Sequence, residues 1–537
     1  MKNENTTKQF ISKNYIQIGT VIASVFIWLI TFFVDHKTFT KDALNMNCLP
    51  IDTAMVSFMH ITSKWILLIL IIGIFEFILY SLRNKKLFFY FLLFFTIYVG
   101  CLLINYPGYY MSDDTVIFGY ATRYYPVYWH NYLTSLYYMV AMSLIPASTG
   151  PIILNDLILA MVFSFISFKV ENLFATKWKY LIVICGLLPF VILSGLMCFR
   201  PALYAPFFLF LYAFLFFEKK EQKEVSLGKL LWLSFLTAIL CFWRSEGILL
   251  ILFMLFLLPM TYNFTKKEYI KKIGIFLLSF ILVFSIIKIP QSMGEQKYYG
   301  KDYLIVSTIR PLSLIIHREQ TYDGAEEDLE NIDAVVELDY MSYETMSCSS
   351  YNRFNSDFNN GHFTESGATP EQQDAYIKSA LRLILHNLDL FIGERIQLFC
   401  VENGLSYPKN LVMNMAPVTT AEFPSYQLDR DYGYELVNGN SRLGYETDKS
   451  MALFLFRFGG EGYIPMLILL MGMLVYTLVS KRWFAFLSLL SVLGRECVIF
   501  LTAPAGFIQY NYPAMFVIAF FFIILVLEII TEKTRKI

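Results

Sequence analysis

Apolar runs near the length that crosses a bilayer recur along this 537-residue chain, at roughly 15–34, 65–82, 87–104, 150–168, 180–197, 201–217, 229–243, 247–262, 273–289, 461–479, 483–503 and 511–530. A helix needs about 17–25 such residues to span the hydrocarbon core, so the pattern predicts about twelve spanning helices. The runs 229–243 and 247–262 fall slightly short of that length. So does a further apolar stretch, 132–147, which closes near Pro146. Between 291 and 450 the pattern changes to a polar segment of roughly 160 residues, too long for a passive connector and predicted to be ordered. Within it, Ile377, Leu381, Ile384, Leu385, Leu388, Ile392, Ile396 and Phe399 recur mostly at three and four residues. That spacing predicts one amphipathic helix over Tyr376–Cys400, lying on the membrane surface or packing on the outer ends of the spans.

Composition supports this pattern. The chain is 56% hydrophobic and 18% aromatic, with 16% charged residues and a mean hydropathy of +0.52. These values exclude an ordinary soluble enzyme and predict an all-α polytopic integral membrane protein. Its expected parts are an N-terminal membrane module at 1–290, an extracytoplasmic α-containing segment at 291–450, and C-terminal membrane helices at 451–537. Net charge is zero, so nothing favours a nucleic-acid partner. Lys2, Lys8 and Lys13 precede the first run without a small-residue cleavage site, which predicts a retained first span.

Basic residues orient the spans. They cluster at the N-terminus, at Arg83 with Lys85 and Lys86, at Lys177 and Lys179, at Lys219 and Lys220, at Lys266 and Lys267, at Lys481 and Arg482, and at Lys533 with Arg535. With twelve crossings every cluster falls on one side, the cytoplasm, along with both termini. A crossing at 132–147 would switch every later cluster to the other side. That stretch is therefore expected to be an interfacial or re-entrant helix on the outer face. The loop 105–149, the turns at Arg200 and Arg244, and the segment 291–450 then lie outside together. Cys101, Cys185, Cys198, Cys241 and Cys497 sit in apolar stretches as small buried residues. Cys48, Cys348 and Cys400 would be external, an odd number with no assignable pairing.

The chemistry-bearing residues gather at those outer positions. Asp113 and Asp114 follow directly on the third run. A carboxylate there can take the proton from an attacking hydroxyl. A pair can also hold Mg²⁺ or Mn²⁺ through oxygen ligands, and the residues alone settle no cofactor. A solvated acid pair or a helix cap near Thr115 is the alternative. Arg200 and Arg244 would face outward, against the positive-inside bias, where a guanidinium suits a lipid phosphate. Snorkelling anchors are the simpler account, and Glu246 could neutralise Arg244. Arg123 shares the outer loop with His130, which opens the interfacial stretch. The pairs Arg457–Glu461 and Arg495–Glu496 read as ion pairs or as the lining of an aqueous cleft. His386, Asp389 and Arg395 read as the solvated face of the amphipathic helix.

An external Asp after an early span, a His opening an interfacial helix and the outward Arg of Phe242-Trp243-Arg244-Ser245-Glu246-Gly247 resemble GT-C-type glycosyltransferases. These polytopic enzymes, which include protein O-mannosyltransferases and lipid A aminoarabinose transferases, use polyprenyl-phosphate sugars. The chain is most similar to bacterial members with Tyr-Pro-Gly ahead of the Asp, here Tyr106-Pro107-Gly108, and a Tyr-Pro after a long outer helix, here Tyr407-Pro408. It departs from the pattern where Asn131 replaces the usual Pro after the His, and where the usual single Asp is doubled; spacing from Gly108 favours Asp113. The resemblance implies that Asp113 or Asp114 activates the acceptor hydroxyl and that Arg200 and Arg244 hold the donor phosphate. It also implies that His130 positions a substrate and that 291–450 caps the cleft. The implied acceptor is a cell-envelope glycan, a lipid or a protein. Two rivals stand beside it. One is a polysaccharide polymerase or ligase using polyprenyl-diphosphate glycans, the other a lipid-linked glycan transporter or flippase, which would carry charges at mid-membrane.

Overall fold

The computed structural model describes residues 2–39, 53–110, 112–298, 301–338, 341, 368–402, 418–419, 463–503 and 508–536. Helices dominate. In order they are α1 (Lys2–Thr38), α2 (Thr53–Arg83), α3 (Lys85–Ile104), α4 (Ser112–Ala121), α5 (Tyr132–Leu144), α6 (Gly150–Leu173), α7 (Leu181–Gly186), α8 (Pro189–Gly195), α9 (Arg200–Lys220) and α10 (Leu227–Trp243). There follow α11 (Leu249–Tyr262), α12 (Lys266–Tyr298), α13 (Asp302–Ile315), α14 (Ala325–Asp333), α15 (Pro370–His386), α16 (Leu388–Glu402), α17 (Tyr463–Val479), α18 (Trp483–Thr502) and α19 (Tyr512–Lys536). Two short strands, β1 (Tyr109–Tyr110) and β2 (Val418–Thr419), pair antiparallel with Tyr109 opposite Thr419.

The chain is an α-helical membrane protein. Among the described residues nine helices are long and apolar enough to cross a bilayer. The run 180–197 becomes a bent pair, with α7 and α8 meeting at 45°. Pro189 explains the break: it cannot donate the amide bond that would continue α7. The runs 229–243 and 461–479 become α10 and α17, 17 residues each. Contacts divide the chain into two units, Met1–Phe217 with Pro417–Gly459 and Ala519–Ile537, and Glu218–Ala416 with Gly460–Ile518.

In the first unit α3 packs along α6. Phe94 meets Phe163 with ring centroids 5.8 Å apart, and the Tyr98 hydroxyl donates to the Gly186 carbonyl at 2.7 Å. A side chain at Gly186 would strike the Phe94 ring at 2.5 Å, so the broken helix approaches α3 only through glycine. Helix α5, expected at the membrane interface, has every residue buried or half-buried against protein. At 13 residues it is too short to cross.

In the second unit α13, α14, α15 and α16 build a small core of their own. Ile305, Ile309 and Leu312, spaced four and three apart on α13, meet Tyr376, Ala380 and Leu383 on α15. Helix α15 starts on a capping box: Thr369 Oγ1 accepts from the Gln372 amide at 3.3 Å, and Gln372 Oε1 accepts from the Thr369 amide at 2.8 Å. The single helix expected over Tyr376–Cys400 is two. Asn387 ends α15, and its side-chain amide donates to Gln320 Oε1 at 2.7 Å and to the Leu383 carbonyl at 2.9 Å, replacing ladder bonds with side-chain ones. The anticipated apolar stripe therefore splits. Ile384 joins the core, whereas Leu381, Leu385, Leu388, Ile392 and Ile396 stay exposed.

Candidate functional site

The acid pair sits on α4, which follows span α3 after a tyrosine-rich crossing. Gly108 makes that crossing possible. Its φ is +102°, and an added Cβ would lie 2.4 Å from Ile152 Cδ1 and 3.0 Å from the Leu196 carbonyl oxygen. Gly108→Ala is therefore expected to cost about 1–3 kcal/mol from the backbone alone. Thermal unfolding of the detergent-purified variant reads this as a lower melting temperature, and an unchanged one would contradict the close approach. Past Gly108, the Tyr109 amide donates to the Leu196 carbonyl at 2.9 Å, and the Tyr110 hydroxyl donates to the Ser148 carbonyl at 2.8 Å. The crossing is thus pinned to the segment that leads into α9.

Asp114 faces inward and is 1% exposed. The Tyr138 hydroxyl, from the middle of α5, lies 3.0 Å from Asp114 Oδ1 and 3.1 Å from the Cys198 carbonyl oxygen. One hydroxyl proton serves two acceptors there, so Tyr138 ties the carboxylate to the residue two before Arg200. The Phe118 ring meets Tyr138 edge-on at 4.8 Å and closes the site from α4. Asp113 lies on the same helix, and its side chain is outside the described residues. The structure brings Asp114 to the foot of α9, where Arg200 is half-buried.

Two other candidates lie in the same unit. Arg123 donates from Nη1 to the Gly119 carbonyl at 2.7 Å, capping the end of α4. His130 is buried at the start of α5, and its carbonyl accepts from Thr134 Oγ1 at 3.0 Å. Asn131 has φ +67° and accepts from the Leu133 amide at 3.0 Å. Proline, locked near −65°, cannot adopt that conformation, which explains Asn after the His.

Arg244 and Glu246 belong to the second unit. Arg244 is extended after α10, and a short 3-10 turn at Ser245–Ile248 leads into α11. Glu246 Oε1 accepts from Arg244 Nε at 2.6 Å and from Arg495 Nη2 at 2.9 Å. Arg495 Nη1 donates to Glu496 Oε1 at 2.6 Å, and the Tyr463 hydroxyl donates to Glu496 Oε2 at 2.5 Å. The Arg244 guanidinium lies 5.4 Å from the centre of the Tyr510 ring. All four ionisable residues are buried, and their formal charges sum to zero. The pairs Arg244–Glu246 and Arg495–Glu496, read separately from the sequence, are one network. Two ionisable residues in a tight turn between apolar runs and two inside a later run are the signal the sequence offers. Arg244 Nη1 has no hydrogen-bond partner among the described residues.

Beside this network opens a cavity of about 240 Å³, lined by Arg395, Tyr463, Glu496 and Asn511 among apolar side chains. Arg395 corrects an expectation. It is 1% exposed rather than solvated, donates to the Ala503 carbonyl at 2.7 Å and pairs with Glu394, which also pairs with Arg310. The break at Asn387 sets the face that α16 buries, and Glu394 makes burial of the cation tolerable. His386 stacks on Tyr322 at 4.0 Å on the exposed side, where Arg318 holds the Asp389 carboxyl below its ordinary range. Arg457, Glu461, Cys48 and Cys348 lie outside the described residues. Among the described residues no three His, Cys, Asp or Glu side chains gather. The divalent-cation reading rests also on Asp113, beyond them.

No family model, curated protein or solved structure matches this chain.

Proposed function

We propose that the chain is a GT-C-like glycosyltransferase that moves a sugar from a polyprenyl-phosphate donor to a cell-envelope acceptor at the outer face of the membrane. The observation that carries this reading is the built surround of the acid pair. It follows span α3, and Tyr138 holds Asp114 against the segment that opens α9. A solvated loop acid would have no such support. In the reaction the acceptor hydroxyl loses its proton to a carboxylate as its oxygen bonds the anomeric carbon, and the carbon–phosphate oxygen bond breaks. Asp113 is the base, and Asp114 positions the helix that carries it. Arg200 meets the lipid phosphate, and His130, at the start of α5, positions donor or acceptor. Arg244 and Glu246 brace the second unit.

In this reading the nine long helices, the bent pair, α10 and α17 make twelve crossings. Both termini are then cytoplasmic and 291–450 extracytoplasmic. Glu326→Cys, on the exposed face of α14, is expected to react with an impermeant thiol reagent in intact cells once Cys48, Cys348 and Cys400 are replaced. Labelling only after lysis would overturn the orientation.

The function is tested by envelope glycan composition in a deletion strain complemented with the wild-type chain. Loss of one sugar substituent, restored by complementation, is the expected result; an unchanged envelope counts against transfer. A second reading has its own observation. The buried Arg244–Glu246–Arg495–Glu496 network joins the turn between α10 and α11 to the interior of α18, and buried charges among membrane helices also mark the paths of transporters. A lipid-linked glycan transporter would strand undecorated glycan on the cytoplasmic side, whereas a transferase defect leaves it outside.

A further inference from the structure

Asp156 stands two turns into α6, within a spanning helix, and is 1% exposed. Among the described residues neither of its carboxylate oxygens has a hydrogen-bond partner. The neighbouring Asn155 is also buried. Its side-chain nitrogen donates to the Ser194 carbonyl at 2.9 Å and the Met197 carbonyl at 3.3 Å, which leaves Asn155 Oδ1 as another acceptor without a donor. Both residues face the segment where α8 ends. Asp156 Oδ1 would lie 2.7 Å from a Cβ on Gly195, so only glycine admits the carboxylate there.

The surround supplies no compensating charge. Tyr98 and Cys101 from α3 and Tyr137 from α5 are the ionisable groups near Asp156, and all are neutral in their ordinary states at pH 7. Helix α8 carries no ionisable residue. Among the described residues no cation faces the carboxylate. Three buried acceptor atoms with no donor call for a ligand that brings positive charge, because a bare carboxylate inside a membrane helix is strongly unfavourable. Broken membrane helices are places where such ligands bind, since their ends turn carbonyl oxygens inward.

We propose that Asp156, with Asn155 and the Ser194–Met197 break, is a binding site for one monovalent cation, either sodium or a proton. The site is separate from Asp114 but reaches its support. The same segment takes the Tyr109 amide at Leu196 and ends at Cys198, beneath Tyr138. Occupancy therefore stiffens the strap that holds α4.

The test is thermal unfolding of the full chain in detergent, wild type against Asp156→Asn. At fixed ionic strength, replacing choline by saturating sodium is expected to raise the wild-type melting temperature by roughly 5 °C, with the rise absent in the variant. If the cation is a proton, sodium has no effect. Stability is then greater at low pH and falls as pH rises, because a proton neutralises the buried carboxylate, again only in the wild type. Wild type and variant responding alike to both sodium and pH would overturn the proposal. Should Asp156→Asn not fold, hydrophobic carbodiimide labelling of the wild type, mapped by mass spectrometry, decides the matter. Modification of Asp156 that falls with added sodium or with rising pH supports the site. Modification indifferent to both, or none at Asp156, overturns it.

Discussion

Asp113→Ala is expected to abolish sugar transfer while the protein stays inserted and folded, with activity falling by about 10²–10⁴-fold, the range lost when a general base is removed. Asp114→Ala is expected to fail differently. Its carboxylate is buried and takes the Tyr138 hydroxyl, so truncation removes that buried hydrogen bond, leaves Tyr138 to the Cys198 carbonyl alone and costs about 1–3 kcal/mol. Asp114→Asn keeps an oxygen toward Tyr138 and should recover part of that stability. The envelope glycan assay, paired with melting temperature, separates the two roles. Activity lost without stability marks the base, and stability lost first marks the positioning residue. Full activity in both single alanine variants and in the double variant would remove the acid pair from catalysis.

Arg495→Ala is expected to be the most destabilising single change in the second unit. Arg495 is the donor shared by Glu246 and Glu496, and after its loss Glu496 keeps only the Tyr463 hydroxyl among these contacts. Removing one partner from a buried ion network costs about 3–5 kcal/mol, because a carboxylate is left uncompensated in low dielectric. Combining Arg495→Met with Glu496→Gln removes both charges together and should restore much of the loss. The measurement is thermal unfolding in detergent, where Arg495→Ala melts well below wild type and the paired variant recovers. A melting temperature for Arg495→Ala equal to wild type would show that the four charges do not act as one network.

The same contrast shows how far the sequence could be read. The pairing of Arg244 with Glu246 was legible because the two are two residues apart in a turn. The link from Glu246 to Arg495 spans 249 positions and depends on α18 packing beside α11, which no local pattern encodes. Asp156 gives little signal in the sequence because one acid in a long apolar run hardly disturbs its hydropathy. Its meaning comes from having no partner among the described residues, a property of the surroundings. An unbroken helix over Tyr376–Cys400 would put Arg395 on a solvated face. One residue, Asn387, ended that helix and changed which side α16 buries.

Run length and charge alone are enough to read an α-helical membrane chain, the places of most of its apolar helices and an acid pair after the third of them. Hydrophobic run length and side-chain charge are local quantities, and the bilayer imposes its thickness on them directly. The burial of α5, the link from Asp114 through Tyr138 to the foot of α9, and the joining of four scattered ionisable residues into one network are visible in the fold alone. Those outcomes depend on contacts between residues far apart in the chain. There, the cost of an unpaired buried group selects the partner, and that selection leaves no period in the sequence.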